Sequence, residues 1–339
     1  MNNVSTILNS STLSRRGVLT GGAAIAALSI TRSGWAQAGP TGAQPVVLIT
    51  GTSSGFGRLM AETFARNSLH VVATMRETEG QNAPAAAELR QLAEREDLAI
   101  EVIDIDVTDQ ASVDSGVAEA LQRAGQIDIL VNNAGIVVPG PTELQPVASF
   151  DANLETNVNG SLRMFRAVAP HLRERGSGYL IQFSSALGRI LDPMLGGYCA
   201  SKLAAEAAAD ALAYEEAMFG IEVTIIQPAG AYPTRLQENA MRYFEEMVAS
   251  LSDADQARLA AFEEHIAHMR ESLVPDPELD PREVADAVYA LIPMERGSRP
   301  RRLAVGPFKD TIDGLNRAHD EVQAPLIEQS GLTELTTLR

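Results

Sequence analysis

Short apolar runs alternate with longer helical patterns along most of the chain. Seven runs rich in β-branched and other apolar residues predict β-strands, at 45–50, 69–75, 99–105, 127–132, 178–184, 221–227 and 302–306. The stretches between them include helical patterns at 83–96, 109–124, 147–175 and 197–219. Because strands that alternate with helices form βαβ units, this order predicts an α/β fold with a doubly wound, parallel, seven-stranded sheet. The continuous apolar character of the strands indicates that helices cover both faces of the sheet.

Residues 234–280 interrupt this alternation with a long helical insertion, bounded by Pro233 and by the stretch from Pro275 to Pro277. We interpret this insertion as a lid. Its apolar residues either pack within the lid or line a substrate pocket, and their helical spacing favours packing. These residues are Leu236, Met241, Phe244, Met247 and Phe262.

The first 38 residues differ in composition from the rest. They contain no acidic residue, and the pair Arg15-Arg16 is followed by an apolar run from Gly17 to Ile30 and by the small-x-small sequence at 36–38. This order resembles a twin-arginine export signal that is cleaved after Ala38, and it predicts a periplasmic protein whose single domain spans 39–339. A basic tail or a membrane anchor is the alternative, but the apolar run is shorter than the roughly 20 residues that a spanning helix needs. If the signal does not function, the protein stays in the cytoplasm.

Charge and cysteine content narrow the functional classes. The chain has 339 residues with 27 Lys and Arg against 44 Asp and Glu, a net charge of −17. Such acidity argues against nucleic-acid partners, because their affinity comes largely from Lys and Arg. The single cysteine, Cys199, excludes an internal disulfide and a cysteine-based zinc cluster. No cluster of His and acidic residues has the spacing of a metal site, so we predict no metal.

A glycine-rich segment joins the first strand to the first helix, reading TGTSSGFGR at 50–58. Glycines at a strand-to-helix turn let the backbone approach a pyrophosphate, whose charge then lies among the free N–H groups of the helix N-terminus. A tight turn that needs positive φ is the alternative, but the position after the first strand favours nucleotide binding. The predicted cofactor contacts in this turn are Gly51, Ser53, Ser54, Gly55, Phe56 and Gly57.

The end of the second strand bears on which dinucleotide binds. NAD-binding folds usually place an acid there, whereas an arginine accommodates the 2′-phosphate of NADP. This strand ends in Met75-Arg76, so we predict NADP rather than NAD, with Ser53 adding a hydroxyl; alternatively Arg76 is a solvated loop residue. After the third strand, Asp106 either accepts a hydrogen bond from the adenine amino group or caps the next helix.

Three residues form a candidate catalytic constellation. Tyr198 and Lys202 are four residues apart, so they project from the same helical face, and a cation beside a phenol favours the phenolate. Tyrosine with a pKa of about 10 needs such help to exchange a proton near neutrality. Ser185 lies 13 residues before Tyr198, where strand and helix packing would let it hydrogen-bond a substrate oxygen.

Together these residues resemble the short-chain dehydrogenase/reductase family over about 45–310. The shared motifs are TGxxxGxG at 50–57, NNAG at 132–135, Asn157 within NVNG at 157–160, Ser185, and YxxxK at 198–202. The resemblance implies that Tyr198 is the general acid/base, that Lys202 lowers its pKa and holds the nicotinamide ribose, and that Ser185 orients the carbonyl or alcohol. By the same resemblance Asn157 supports a proton relay through water, and the cofactor also contacts Asn133, Ala134 and Gly135.

One stretch departs from the family pattern. The family usually has a Pro-Gly pair after the sixth strand, whereas this chain has an additional residue in Pro228-Ala229-Gly230. The resemblance implies that Thr234 meets the carboxamide of nicotinamide, although the additional residue disturbs its register. We expect Tyr232 and Pro233 to alter the pocket floor. The resemblance also implies a homodimer or homotetramer paired through the helices at 147–175 and 197–219.

The sequence therefore predicts an NADP(H)-dependent oxidoreductase that exchanges a hydride with a small-molecule carbonyl or alcohol substrate. We expect this substrate to be hydrophobic if the apolar residues of the lid face the cofactor. The alternative is a dinucleotide-binding sensor of redox state without turnover. A pure sensor would not need Tyr198, Lys202 and Ser185 together, which favours the enzyme.

Overall fold

A computed structural model describes residues 44–338. The strands are β1 (Val46–Thr50), β2 (His70–Met75), β3 (Ile100–Asp104), β4 (Ile129–Asn132), β5 (Gly178–Phe183), β6 (Ile221–Pro228) and β7 (Arg302–Val305). The helices before β6 are α1 (Gly55–Arg66), α2 (Ala83–Glu96), α3 (Gln110–Ala124), α4 (Val147–Leu154), α5 (Ser161–Arg175) and α6 (Gly196–Glu215). Those after it are α7 (Arg235–Ser250), α8 (Asp253–Leu259), α9 (Glu263–Ser272), α10 (Arg282–Leu291), α11 (Lys309–Gln329) and α12 (Thr333–Thr336).

All seven strands form one parallel sheet in the order β3-β2-β1-β4-β5-β6-β7. This confirms the predicted doubly wound fold, and each strand lies within two residues of its predicted bounds. The chain moves outward from β1 to β3 and then returns to place β4 on the other side of β1. A crevice opens at such a reversal, beyond the carboxyl ends of the strands, and ligands of this fold class bind there.

Alternation along β1 explains the two apolar layers of the core. Val47 and Ile49 face a layer that contains Phe64 of α1 and Val288 of α10. Val46 and Leu48 face the opposite layer, which α3, α5 and α6 supply. Because helices cover both faces, every residue of β1 is buried, as the unbroken apolar run predicts.

The helical stretch predicted at 147–175 is present but is not one uniform α-helix. A π-helical turn, Glu155–Gly160, separates α4 from α5. The backbone stays in the helical region at Leu154 and Ser161, so the axis continues through the turn. Such turns hold one extra residue and occur frequently at functional sites.

The predicted lid consists of α7, α8 and α9. Its buried side chains pack on one another and on Met194, which lies in the loop between β5 and α6. They are Phe244, Met247, Leu251 and Met269, with Met241 and Phe262 partly buried against them. Within residues 44–338, no helix has the length and apolarity to cross a membrane. The same region contains no cluster of His, Cys, Asp and Glu able to hold a metal ion. The predicted export signal at 1–38 lies outside the described residues.

Candidate active site

A cleft of about 340 Å³ lies beyond the carboxyl ends of the central strands, a size typical of ligand sites. It is lined by fourteen of the sixteen predicted site residues. These are Gly51, Ser53, Ser54, Gly55, Phe56, Arg76, Asp106, Asn133, Ala134, Gly135, Ser185, Tyr198, Lys202 and Thr234. The other two, Gly57 and Asn157, lie behind the cleft wall.

Close packing explains the glycines of the turn between β1 and α1. Gly51 has φ +71°, and a Cβ there would lie 2.8 Å from the Cα of Ala134. A Cβ on Gly57 would overlap the carbonyl oxygen of Gly51 and the side-chain amide of Asn133. Ser54 precedes α1 without capping it through its side chain, so the first N–H groups of that helix have no side-chain acceptor there. The turn therefore leaves backbone donors open to an anionic ligand.

Asn133 fixes this turn to the end of β4. Its side-chain amide donates to the carbonyl oxygens of Thr50, at 2.8 Å, and Gly51, at 3.1 Å. The Thr50 hydroxyl accepts in return from the backbone N–H groups of Asn133 and Ala134, both at 3.0 Å. Asn133 thus lines the cleft and also holds the two loops that form its floor.

The rim of the cleft carries an arginine where the cofactor's ribose is expected. Met75 is buried at the end of β2, whereas Arg76 is exposed and makes no ion pair with any residue in 44–338. Asn82, which belongs to none of the sequence motifs, donates to the backbone oxygen of Arg76 at 2.8 Å and also lines the cleft. Across the rim, the Asp106 carboxylate accepts from the N–H and hydroxyl of Thr108, at 2.9 and 2.7 Å.

Tyr198 is almost fully buried at the inner end of the cleft. Burial raises the pKa of its phenol to about 12, and a hydrogen bond with Ser185 partly opposes that rise. Ser185 is itself oriented by the N–H of Leu187, which donates to its hydroxyl oxygen at 3.1 Å. The sequence predicts a lowered pKa for this phenol, whereas in the structure the pKa is raised. Removal of the phenol from water raises the pKa more than the neighbouring polar groups lower it.

Lys202 lies one helical turn after Tyr198, as predicted, but its amine is not directed at the phenol. The amine donates to the carbonyl oxygen of Phe183 at 3.1 Å and lies 5.7 Å from the centre of the Tyr198 ring. Burial lowers the pKa of Lys202 to about 8, and the carboxylate of Glu206 opposes that change. Before any ligand binds, burial therefore favours the neutral forms of both the phenol and the amine.

Asn157 lies in the π-helical turn with its side-chain amide fully used by the protein. Its oxygen accepts from the N–H of Ile136 at 2.8 Å, and its nitrogen donates to the carbonyl of Ile136 at 3.0 Å and to the hydroxyl of Ser201 at 2.9 Å. These bonds connect α6 to the loop that follows β4. Asn157 therefore shapes the wall beside Lys202 without lining the cleft.

The surroundings of the Tyr198 ring are apolar. Val137, Leu195, Cys199 and Ala240 are buried against it, with Leu187 and Leu273 at the edge of the cluster. Ala240 comes from α7, so the lid packs directly beside the candidate acid/base. Cys199 packs here, and burial raises the pKa of its thiol.

The additional residue after β6 is accommodated by Tyr232. Its side chain turns into the core, where the ring edge meets Phe56 at a centroid distance of 5.4 Å and the hydroxyl hydrogen-bonds Glu283. Thr234 then caps α7, accepting from the N–H of Leu236 at 3.3 Å. A Cβ on Gly55 would lie 3.4 Å from the Cβ of Thr234, so the predicted residue reaches the glycine-rich turn.

Sequence reasoning missed one face of the lid helix. Arg235, Asn239, Arg242 and Tyr243 of α7 line the cleft with Leu236. Positions 235, 239 and 242 have the spacing of one helical face, which was the available signal. It was not decisive, because exposed polar residues at this spacing usually face solvent.

Comparisons with known proteins agree with this geometry. Residues 45–243 match the family model described as short chain dehydrogenase. The uncharacterized oxidoreductase YusZ of Bacillus subtilis is 34% identical over 73% of this chain and 84% of its own length. Human 17-beta-hydroxysteroid dehydrogenase type 1 is 34% identical over 72% of this chain and 73% of its own length.

Solved structures show the same fold. A short-chain dehydrogenase from Streptomyces avermitilis has a TM-score of 0.66 at 32% identity, covering 86% of this chain and 98% of its own. A gluconate 5-dehydrogenase from Burkholderia cenocepacia, in complex with NADP and tartrate, has a TM-score of 0.62 at 24% identity over 79% and 95% of the two chains. A short-chain dehydrogenase from Burkholderia phymatum, in complex with NAD, has a TM-score of 0.66 at 20% identity over 83% and 95%.

Proposed function

The chain belongs to the short-chain dehydrogenase family, and we propose that it transfers a hydride between NADP(H) and an apolar carbonyl or alcohol compound. Its relatives show that it is an oxidoreductase of this family, and those solved in complex bind a nicotinamide dinucleotide. The observation that carries the proposal is that Ser185, Tyr198 and Lys202 line one cleft, with the Ser185 hydroxyl close enough to the phenol to lower its pKa.

The cleft fits a dinucleotide. The glycine-rich turn has no room for side chains at Gly51 and Gly57 and leaves N–H groups at the start of α1 for the pyrophosphate. In this proposal Arg76 would hold a 2′-phosphate, Lys202 the nicotinamide ribose and Thr234 the carboxamide. When bound, the nicotinamide ring supplies or accepts the hydride.

Tyr198 and Ser185 supply the proton chemistry in this proposal. A phenol with a pKa of about 12 holds its proton at neutral pH, so Tyr198 donates it to the carbonyl oxygen as that oxygen becomes an alkoxide. Ser185 hydrogen-bonds the same oxygen and keeps it within reach of the phenol. In the opposite direction Tyr198 accepts the proton of the alcohol, for which its phenol must first lose its own proton, and a positive charge on the nearby Lys202 would favour the phenolate.

Apolar side chains of the cleft support an apolar substrate. Ile136, Phe183 and Leu236 line it, and the residues packed around the ring of Tyr198 outside the lining, Val137, Leu195 and Ala240, are also apolar. A charged substrate would lose its hydration against these side chains, which offer it no ionic partner, and the charged residues of the lid that line the cleft are Arg235 and Arg242. By name, the human relative acts on a hydroxysteroid, which is consistent with this class.

The test is oxidation of NADPH in the presence of a panel of apolar ketones and aldehydes, and reduction of NADP with the matching alcohols. We expect Tyr198→Phe to lower turnover by about 10²-fold or more, the usual contribution of a positioned acid/base. Tyr214→Phe is the matched control, since Tyr214 is also on α6 but contacts Arg301 away from the cleft. Equal rates for Tyr198→Phe and wild type would remove Tyr198 from the mechanism, and cofactor binding without turnover of any compound would favour the sensor.

We also propose that residues 1–38 direct export to the periplasm by the twin-arginine route. The family match begins at residue 45, beyond the predicted cleavage site, which supports a separate role for the preceding segment. This route carries folded proteins, so the cofactor would be loaded before export.

A homodimer or homotetramer is our further proposal. Val147 at the start of α4 and Leu203 on α6 are 75% and 54% exposed, which leaves apolar side chains on the helices predicted to pair. Size-exclusion chromatography with light scattering tests this, and a monomer at micromolar concentration would contradict it.

A further inference from the structure

Glu206 is a buried carboxylate on the helix that carries Tyr198 and Lys202. It lies one helical turn beyond Lys202 and two beyond Tyr198, on the same face, and is 1% exposed. It does not line the cleft, and neither the family motifs nor the proposed mechanism assigns it a role. A buried carboxylate is costly unless its oxygens are hydrogen-bonded, so its partners indicate what it holds in place.

Four side chains surround the Glu206 carboxylate. One oxygen accepts from the hydroxyl of Ser184 and from the side-chain amide of Gln227, both at 2.8 Å. The other accepts from Arg302 of β7 at 3.2 Å and lies 3.6 Å from a guanidinium nitrogen of Arg189. The residue that follows β5, strands β6 and β7, and the loop after Ser185 therefore converge on this one carboxylate.

The contact with Ser184 bears directly on the candidate catalytic residues. Phe183 and Ser184 are the two residues before Ser185, and α6 holds both of them: Lys202 donates to the Phe183 carbonyl at 3.1 Å, and Glu206 accepts from the Ser184 hydroxyl. These two bonds set where Ser185 leaves the strand relative to Tyr198. A Cβ on Gly188 would lie 2.6 Å from the Ser184 hydroxyl and 2.8 Å from the Glu206 carboxylate, so the chain after Ser185 packs tightly on this contact.

The network also extends to the C-terminal helix. Asn316 of α11 donates to the side-chain oxygen of Gln227 at 2.7 Å and accepts from Arg189 at 3.2 Å. Asn316 lies beyond residues 45–243, the part that matches the family model. A segment outside the family match thus contributes to the support of the Ser185 loop.

We propose that Glu206 is a positioning residue for the candidate active site. Its carboxylate holds Ser185 in place through the hydrogen bond from Ser184, and its negative charge stabilises the protonated amine of Lys202. This inference rests on the proposed function for its kinetic consequence. A purely structural ion pair would affect stability and leave the site's chemistry unchanged. A positioning role predicts in addition that the titration of Lys202 changes. Burial disfavours the protonated amine of Lys202, and the negative charge of Glu206 opposes that effect.

Within residues 44–338 these charged and titratable groups also surround the pair. Tyr198 lies beside Lys202, Arg189 and Arg302 face Glu206, and Arg302 also pairs with Asp210 and Asp320. Removing the negative charge of Glu206 leaves the positive charges of Arg189 and Arg302 without this partner. Their repulsion then makes a positive charge on Lys202 still less favourable. Glu206→Gln should therefore lower the pKa of Lys202.

The sequence makes this measurable without turnover, since its only lysines are Lys202 and Lys309. Lysine labelled with ¹³C at Cε gives two NMR signals, and Lys309, which is exposed on α11, gives the second. We expect Glu206→Gln to move the Lys202 titration down by about one pH unit, as loss of a nearby opposite charge does. We also expect kcat with an accepted carbonyl to fall about tenfold or more, with KM for NADPH within about twofold.

Glu216→Gln is the matched control. Glu216 is a buried carboxylate at the end of the same helix and pairs with Arg173, but it does not contact Ser184 or Lys202. It should change neither the Lys202 titration nor kcat. An unchanged titration and an unchanged kcat in folded Glu206→Gln would overturn the proposal.

If Glu206→Gln does not fold, Ser184→Ala removes the contact and keeps the charge. We then expect kcat to fall several-fold while Lys202 titrates as in the wild type, and an unchanged kcat would overturn the positioning role. If the wild type reduces no carbonyl compound, the proposed function fails. The titration of Lys202 would still test the effect of Glu206 by itself.

Discussion

The side-chain amine of Lys202 donates a hydrogen bond of 3.1 Å to the carbonyl oxygen of Phe183, the last residue of β5. This bond crosses from the helix that carries Tyr198 to the strand that leads to Ser185. It holds the amine in a buried position, where a positive charge is disfavoured. The titration of Lys202 is therefore linked to folding.

We expect the free energy of unfolding of the ligand-free wild type, relative to Lys202→Met, to rise as the pH increases from about 8 towards 10. Burial lowers the pKa of Lys202 from 10.5 to about 8 in the folded protein. Between these values the unfolded chain binds more protons than the folded one, so stability increases with pH. Below pH 8 both states are protonated and the difference should be constant.

Urea denaturation of both proteins at several pH values measures this linkage. Titrating groups that do not interact with Lys202 contribute equally to the two proteins and cancel in the difference. A difference that does not change with pH would show that Lys202 is not protonated differently in the folded and unfolded states.

Arg76→Ala should weaken NADPH binding by about tenfold and leave NADH binding within about twofold. The guanidinium makes no ion pair within 44–338 and lines the cleft, so a 2′-phosphate would gain a charge-assisted contact there. Fluorescence titration with each reduced cofactor measures both affinities. Arg90→Ala is the control, because Arg90 is exposed on α2 outside the cleft. Equal losses for NADPH and NADH would contradict a 2′-phosphate role.

Gly57→Ala should weaken the binding of both cofactors and cost about 1–3 kcal/mol of stability, the usual effect of overpacking. The new Cβ has no room between the Gly51 carbonyl and the Asn133 amide, and one of the two loops must move. Gly314→Ala is the matched control: it lies inside α11, its nearest neighbour would be 3.9 Å away, and it should stabilise the protein by about 0.5–1 kcal/mol. Binding by Gly57→Ala at wild-type affinity would show that the turn does not form the cofactor site.

Periplasmic protein from an expressing bacterium should have the intact mass of a chain that begins at residue 39. Replacement of Arg15 and Arg16 by lysine should keep the protein in the cytoplasm, because the translocase recognises the arginine pair. Protein that reaches the periplasm with residues 1–38 still attached would exclude cleavage there.

The sheet and the cleft were largely predictable from local patterns. Each strand was visible as an apolar run, and the turn at 50–58 and the pair Tyr198 and Lys202 were visible as fixed spacings. These features depend on residues close together in the chain, which is the range over which periodicity carries information.

Features that depend on tertiary contacts were not predictable in this way. Glu206 joins Arg302, 96 residues away, and Gln227 joins Asn316, 89 residues away, and neither pair has a signature in the sequence. The phenol pKa of Tyr198 was expected to fall, but the depth of burial that raises it depends on Val137, Leu195 and Ala240. The sequence shows that the turn at Tyr232 is unusual. Where the Tyr232 side chain lies depends on its contacts with Phe56 and Glu283, which are distant in the chain.

The π-helical turn at Glu155–Gly160 holds one residue more than an α-helical turn, and the helix continues on both sides of it. Deleting one residue within this turn would therefore restore the α-helical pattern and keep the two flanking helices close to their present register. Met164 and Val168 would stay in the core, but the widened turn from which Asn157 contacts the loop after β4 would be lost. We therefore expect a deletion of one residue here to act on the wall of the cleft more than on the packed face of the helix.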